Sequence, residues 1–116
     1  MPYISVDDFF EKTKDLKSIA KNREMQKNFA LQMKEGNADA RQALINGYIP
    51  MVAQMISRVP EKYQSLRMIY NCIDILEKGV DSFNFLQDSE TFVHYLSNRL
   101  RMCIARCRFD KQKPEL

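Results

Sequence analysis

A helical repeat of apolar residues in the second half of the chain is the feature that most constrains the fold. Between Leu66 and Val80 apolar residues recur every three or four positions, and charged or polar residues fall on the opposite side. A short break that carries Phe83 and Phe85 follows. A second helical run then begins near Phe92 and has one apolar side, formed by Phe92, Leu96, Leu100, Cys103 and Cys107. The pattern predicts two long helices joined by an aromatic connection.

The first third of the chain also contains residues that are typical of helix starts and ends. Ser5 and Asp8 have the spacing of a capping pair and predict a short first helix. A second helix is predicted from about Asn22 to Glu35. Gly36 is its natural stop, because glycine readily adopts the left-handed backbone conformation that follows many helices.

A third helical run follows Asn37, which is a good N-cap residue, and continues to Val59. Pro50 lies inside this run, where proline lacks a backbone donor and clashes with the preceding turn. Together with Gly47 it predicts a bend or break between residues 46 and 50. Because the 116 residues include only three glycines and four prolines, helix is favoured throughout. The predicted fold class is all-α, a compact multi-helix bundle.

The length of the chain suits one hydrophobic core and is too short for two. We divide the sequence into an N-terminal helical extension (1–35), a helical domain (36–108) and a polar tail (109–116). The tail contains a proline and is either a native end or the start of a linker.

Positive charge is concentrated near the C-terminus. The net charge of +3 is mild, yet four arginines and no acid lie between Phe92 and Phe109. Such a cluster attracts polyanions in a salt-dependent manner. It is also what an ordinary solvated helix face looks like, so composition alone leaves both interpretations open.

The three cysteines are an odd number without the spacing of a disulfide framework, which predicts free thiols and a cytoplasmic protein. Cys103 and Cys107 share a helix face near His94, but a structural zinc site normally needs four ligands. We therefore predict buried thiols, with no metal and no other cofactor. The sequence contains no catalytic constellation and no glycine-rich phosphate loop, so we do not expect an enzyme.

From about Gly36 to Arg106 the chain resembles region 2 of the sigma-70 family of bacterial RNA polymerase initiation factors. Three segments carry the resemblance, in order: GNADARQALINGYIPMVAQMI, LRMIYNCIDILEKGVDSF and FVHYLSNRLRMCI. They are similar to that family's first helix pair, its polymerase-docking helix and its promoter-capturing helix. The positions that match the last of these patterns are Phe92, Tyr95, Leu100, Arg101 and Ile104.

The resemblance implies a compact all-helical transcription initiation module. Its middle helix would bind the RNA polymerase core, at the coiled coil of the largest subunit. Its last helix would capture the single-stranded non-template strand of minus-ten promoter DNA. The implied polymerase-binding residues are Arg67, Tyr70, Asn71, Asp74 and Glu77. The implied DNA-binding residues are Phe92, His94, Tyr95, Asn98, Arg99, Arg101 and Arg106.

Some positions depart from the family pattern. Arg67 stands where the family has an aspartate, and Asn98 and Arg99 stand where many members have a tryptophan pair. No helix-turn-helix follows in this sequence, which suggests a separate helix-turn-helix partner or a longer parent chain. An anti-sigma protein is a further partner that the resemblance implies. One alternative is a sigma-like protein-interaction or regulatory domain without promoter recognition. A further alternative is a nonspecific binder of single strands.

Overall fold

The computed structural model of the protein describes residues 2–86 and 91–112, with side chains as far as Phe109. Within these ranges the chain forms five α-helices, one 3₁₀ turn and no β-strand, which confirms the predicted all-α class. The helices are α1 (Val6–Thr13), α2 (Arg23–Lys34), α3 (Ala38–Ser57), α4 (Leu66–Ser82) and α5 (Phe92–Gln112), and the 3₁₀ turn is Glu61–Tyr63. No helix in the described ranges has the length and apolarity needed to cross a bilayer.

Side-chain caps define the helix starts that the sequence predicts. The Ser5 hydroxyl accepts the backbone N–H of Asp8 at 3.0 Å, at the start of α1. Asn22 and Asn37 cap α2 and α3 through their side-chain oxygens. Gly36 has a φ of +91° just after α2, which is the left-handed conformation that favours glycine. The predicted boundaries of α2 are therefore confirmed.

Of the predicted bend or break in the third helix, the break is wrong, because α3 continues through Pro50 from Ala38 to Ser57. Proline costs this helix one backbone bond, while buried residues on both sides of it hold the helical path against the core. Gly47 serves a different purpose from the one we expected. The side chain of Ile19 packs directly on it, and a Cβ at position 47 would overlap that side chain. The Ile19 N–H also donates to the Gly47 carbonyl at 3.0 Å.

Helix α3 is the centre of the bundle. It packs against α1, α2 and α4, and α4 in turn packs against α5. The N-terminal segment that we described as an extension contributes Phe9, Ile19 and Ala30 to the same core. On α5 the predicted apolar side is confirmed as buried, and its members are Phe92, Leu96, Leu100, Cys103 and Cys107. The opposite sides of α4 and α5 remain open to solvent.

Candidate functional site

An aromatic cluster joins the end of α4 to the start of α5, and Phe92 lies at its centre. Its ring centroid is 4.7 Å from that of Tyr48, 4.9 Å from that of Phe85 and 5.2 Å from that of Phe83. Phe92 is 1% exposed, so no face of its ring is open to a nucleic-acid base. In this conformation the structure contradicts the assignment of Phe92 as a stacking surface and makes it a core residue.

Tyr95 lies at the outer edge of this cluster and is half-buried. One neighbour is Phe83, at 5.3 Å between ring centroids. The guanidinium of Arg99, one turn further along α5, lies over the ring at 4.6 Å from its centroid. A cation over an aromatic face is attracted by the ring quadrupole. The Tyr95 ring is therefore an aromatic surface that the flexible, positively charged side chain of Arg99 covers.

The predicted DNA-binding arginines do not share one face of α5. Arg99 and Arg106 face α4, whereas Arg101 faces α3 beside Arg58 and Arg108. Residues two apart lie about 200° apart around a helix axis, so this division follows from helix geometry. His94 and Asn98 are exposed on the solvent side of α5.

A groove of about 320 Å³ runs between α4 and α5. It unites residues that the sequence assigned to two separate sites: Arg67, Asn71 and Asp74 from the predicted polymerase face, and Arg99 and Arg106 from the predicted DNA face. Periodicity places each set on one side of its own helix, but it does not reveal which helices are neighbours. The groove is positive overall, with three guanidinium groups and one carboxylate among these five side chains.

Most of the predicted polymerase-binding residues are accessible. Arg67, Asn71, Asp74 and Glu77 are exposed along α4. Tyr70 is half-buried beside Tyr3. Its hydroxyl donates to the backbone carbonyl of Tyr3 at 2.8 Å and accepts the backbone N–H of Tyr3 at 3.0 Å. The N-terminal segment thus partly covers one end of this face.

Three thiols lie beneath the α4–α5 groove. The Cys72 thiol donates a hydrogen bond to the sulfur of Cys103, with 3.9 Å between the two sulfur atoms. Asn71 Nδ2 donates to the sulfur of Cys107 at 3.6 Å. The hydrogen bond from Cys72, assisted by one from Cys107 and by the charge of Arg106, lowers the pKa of Cys103 below its usual value. The same hydrogen bond, together with burial, raises the pKa of Cys72.

The predicted buried thiols are present, and the structure brings them together in a way that spacing did not reveal. Among the residues that the structure describes, no three histidine, cysteine or acidic side chains are placed to hold a metal ion. No family model, curated protein or solved structure matches the chain. The chemistry that these residues offer is anion binding by arginines, beside one partly accessible ring.

Proposed function

We propose that the chain is a sigma-like transcription initiation module. In this proposal α4 binds the RNA polymerase core and α5 binds the single-stranded promoter strand. The observation that carries the proposal is the Tyr95–Arg99 pair, which sits beside a positively charged groove. An unpaired base can stack on the tyrosine ring when the guanidinium moves aside to contact a phosphate.

The strand would follow the α4-facing side of α5. Tyr95, Arg99 and Arg106 lie along this side over about 16 Å of helix axis. Stacking supplies the preference for single strands, since the bases of a duplex are not free to stack on a protein ring. The arginines supply a salt-dependent attraction that carries little sequence information. Arg101 belongs to the other side of the helix and is excluded from this path.

The polymerase would bind the exposed stripe of α4. Arg67, Asn71 and Asp74 recur at three- and four-residue spacings, so they form one continuous row on the helix surface. Because the same row lines the α4–α5 groove, the polymerase and the promoter strand would occupy neighbouring surfaces. Binding of the polymerase should therefore change the affinity for the promoter strand, and binding of the strand should change the affinity for the polymerase.

A stacking test isolates the aromatic contribution. Tyr95→Ala should weaken binding to a labelled single strand by roughly 1–3 kcal/mol, which is about 5- to 150-fold in Kd, and leave weak duplex binding nearly unchanged. Fluorescence anisotropy at fixed salt measures both. Tyr63→Ala is a matched control, because Tyr63 is also half-buried and also carries an arginine, Arg108, over its ring, but on the other side of α5. Equal losses on single strand and duplex would remove Tyr95 from the binding surface.

A second candidate function is a sigma-like protein-interaction module that does not read promoters. Two observations favour this candidate: Phe92 is buried, and the arginines of α5 lie on two different sides of the helix. Both reduce the surface that is available to a single DNA strand. A pull-down with the coiled-coil fragment of the polymerase separates the candidates. Polymerase binding without single-strand binding supports the second, and binding to both supports the first. Loss of polymerase binding at low salt contradicts the first.

A further inference from the structure

The floor of the α4–α5 groove brings together thiols from two helices. Cys103 and Cys107 belong to α5 and line the groove. Cys72 belongs to α4 and lies fully buried below them. Its sulfur is 3.9 Å from that of Cys103, although 31 positions separate the two residues in the sequence. A reactive pair needs one thiol that reagents can reach and a second thiol close behind it, and this arrangement provides both.

We propose that Cys103 is a peroxide-reactive thiol and that Cys72 resolves its oxidised form into a disulfide that links α4 to α5. The groove volume of about 320 Å³ admits a small uncharged oxidant such as hydrogen peroxide. Arg106 lines the same groove, and its positive charge favours the thiolate, which is the reactive form. The lowered pKa of Cys103 agrees with this geometry.

Hydrogen peroxide is the one reagent that formation of this disulfide requires. The Cys103 thiolate attacks one peroxide oxygen, the O–O bond breaks, and the other oxygen leaves as water after protonation. The product is a sulfenic acid at Cys103. The Cys72 thiol then attacks the sulfenic sulfur and its proton passes to the departing hydroxyl group, so an S–S bond forms and the S–O bond breaks with loss of a second water. Two thiols are oxidised to one disulfide, and one peroxide is reduced to two waters.

Cys72 resolves the oxidised sulfur better than Cys107 does. Cys107 lies four residues after Cys103 on the same helix, where Cβ atoms are about 5–6 Å apart. A disulfide requires a Cβ separation of about 3.5–4.5 Å, so this pair would have to distort the helix. Asn71 also holds the sulfur of Cys107 through a hydrogen bond. Cys72 approaches from a second helix and needs only a small closing movement.

The test treats the full chain with hydrogen peroxide near neutral pH, followed by thiol counting and peptide mapping. Of the three thiols, one should remain, and the mapped bridge should join Cys72 to Cys103 within one chain. Cys107→Ala is the matched control and should form the same bridge between the other two thiols. Cys72→Ala should stop at a sulfenic acid on Cys103 that dimedone traps. The melting temperature of the oxidised wild-type chain should rise, and reductant should reverse the rise.

The proposal is overturned if all three thiols stay reduced under conditions that oxidise free cysteine. A bridge to Cys107, or bridges only between chains, also overturns it. Circular dichroism checks that each variant is folded. If Cys72→Ala does not fold, the mapped bridge in the wild-type chain still decides the outcome, because that measurement needs no substitution.

Discussion

The two sides of α5 carry similar numbers of cations but differ in what surrounds them. The α4-facing side holds Arg99 and Arg106 next to a carboxylate, an amide and the ring of Tyr95. The α3-facing side holds Arg101 in a groove of about 640 Å³, whose lining includes Met51. None of the described residues lining that second groove is acidic. Each side also has an arginine over a half-buried tyrosine, Arg99 over Tyr95 and Arg108 over Tyr63. Neither charge nor a ring alone therefore marks the binding side of this helix, and the α4-facing groove differs by the carboxylate among its cations.

The largest expected effect comes from removing Phe92, whose buried ring lies 5.9 Å from that of Tyr95 between centroids. Phe92→Ala should lower the free energy of unfolding by about 3–5 kcal/mol, because it empties a fully buried aromatic site. Urea denaturation followed by circular dichroism measures the loss. Phe109→Ala on the same helix is the control, since Phe109 is 58% exposed and should change stability by no more than about 0.5 kcal/mol. A stable Phe92→Ala protein with impaired DNA binding would return Phe92 to the binding surface.

A matched pair of double variants compares the two sides directly. Arg99→Ala with Arg106→Ala should reduce the slope of log affinity against log salt by about 1.4, because each lost phosphate contact to a single strand contributes about 0.7. Arg101→Ala with Arg108→Ala removes equal charge from the α3-facing side and should leave the slope nearly unchanged. Anisotropy titrations over a range of salt concentrations provide both slopes. If the two slopes fall equally, the strand does not distinguish the sides.

The smallest expected effect concerns the ion pair that links α3 to α4. Arg41 binds Asp81 through two hydrogen bonds of 2.7 and 2.9 Å. Both side chains are substantially exposed, so Arg41→Ala should cost only about 0.2–1 kcal/mol. The hydrogen bond from Arg41 lowers the pKa of Asp81. The contribution should therefore be complete above the unfolded pKa of about 3.9 and disappear as the pH falls through the lower folded value.

Denaturation of the wild-type and Arg41→Ala chains at a series of pH values tests this expectation. The difference in stability between them should be constant near neutrality and shrink only in acid. An Asp81→Asn variant should reproduce the neutral-pH loss while removing its acid dependence. A difference that grows as the pH falls has the wrong sign and would contradict the assignment.

Local signals in the sequence predicted much of the fold. Capping residues such as Ser5 and Asn37 bond to the backbone within a few positions, so their effect can be read without knowing the tertiary structure. The buried side of α5 followed from apolar spacing alone. The helix break predicted at Pro50 was wrong because the loss of one backbone hydrogen bond is a local effect, whereas the packing that offsets it comes from distant segments.

The candidate site was harder to predict because it depends on which helices are neighbours. The separation of Arg99 from Arg101 was available in the helical period, and we overlooked it when we grouped the arginines as one cluster. The burial of Phe92 was available in the apolar spacing of α5, and the resemblance nevertheless implied that it binds DNA. The half-burial of Tyr95 was not available, because it depends on the position of α4. The meeting of Cys72 with Cys103 likewise requires two helices to be placed side by side.

The contact between Ile19 and Gly47 has a consequence for how the chain tolerates sequence change. Ile19 is held by its main chain as well as its side chain, because its carbonyl also accepts a bond from Gln26 Nε2 at 2.7 Å. The exposed side chains of the connection between α1 and α2, which are Asp15, Lys17 and Lys21 among others, can vary at little cost. An inserted or deleted residue should cost more, because it would move the N–H of Ile19 away from the Gly47 carbonyl and the carbonyl of Ile19 away from Gln26. Length, more than composition, is what this connection must preserve.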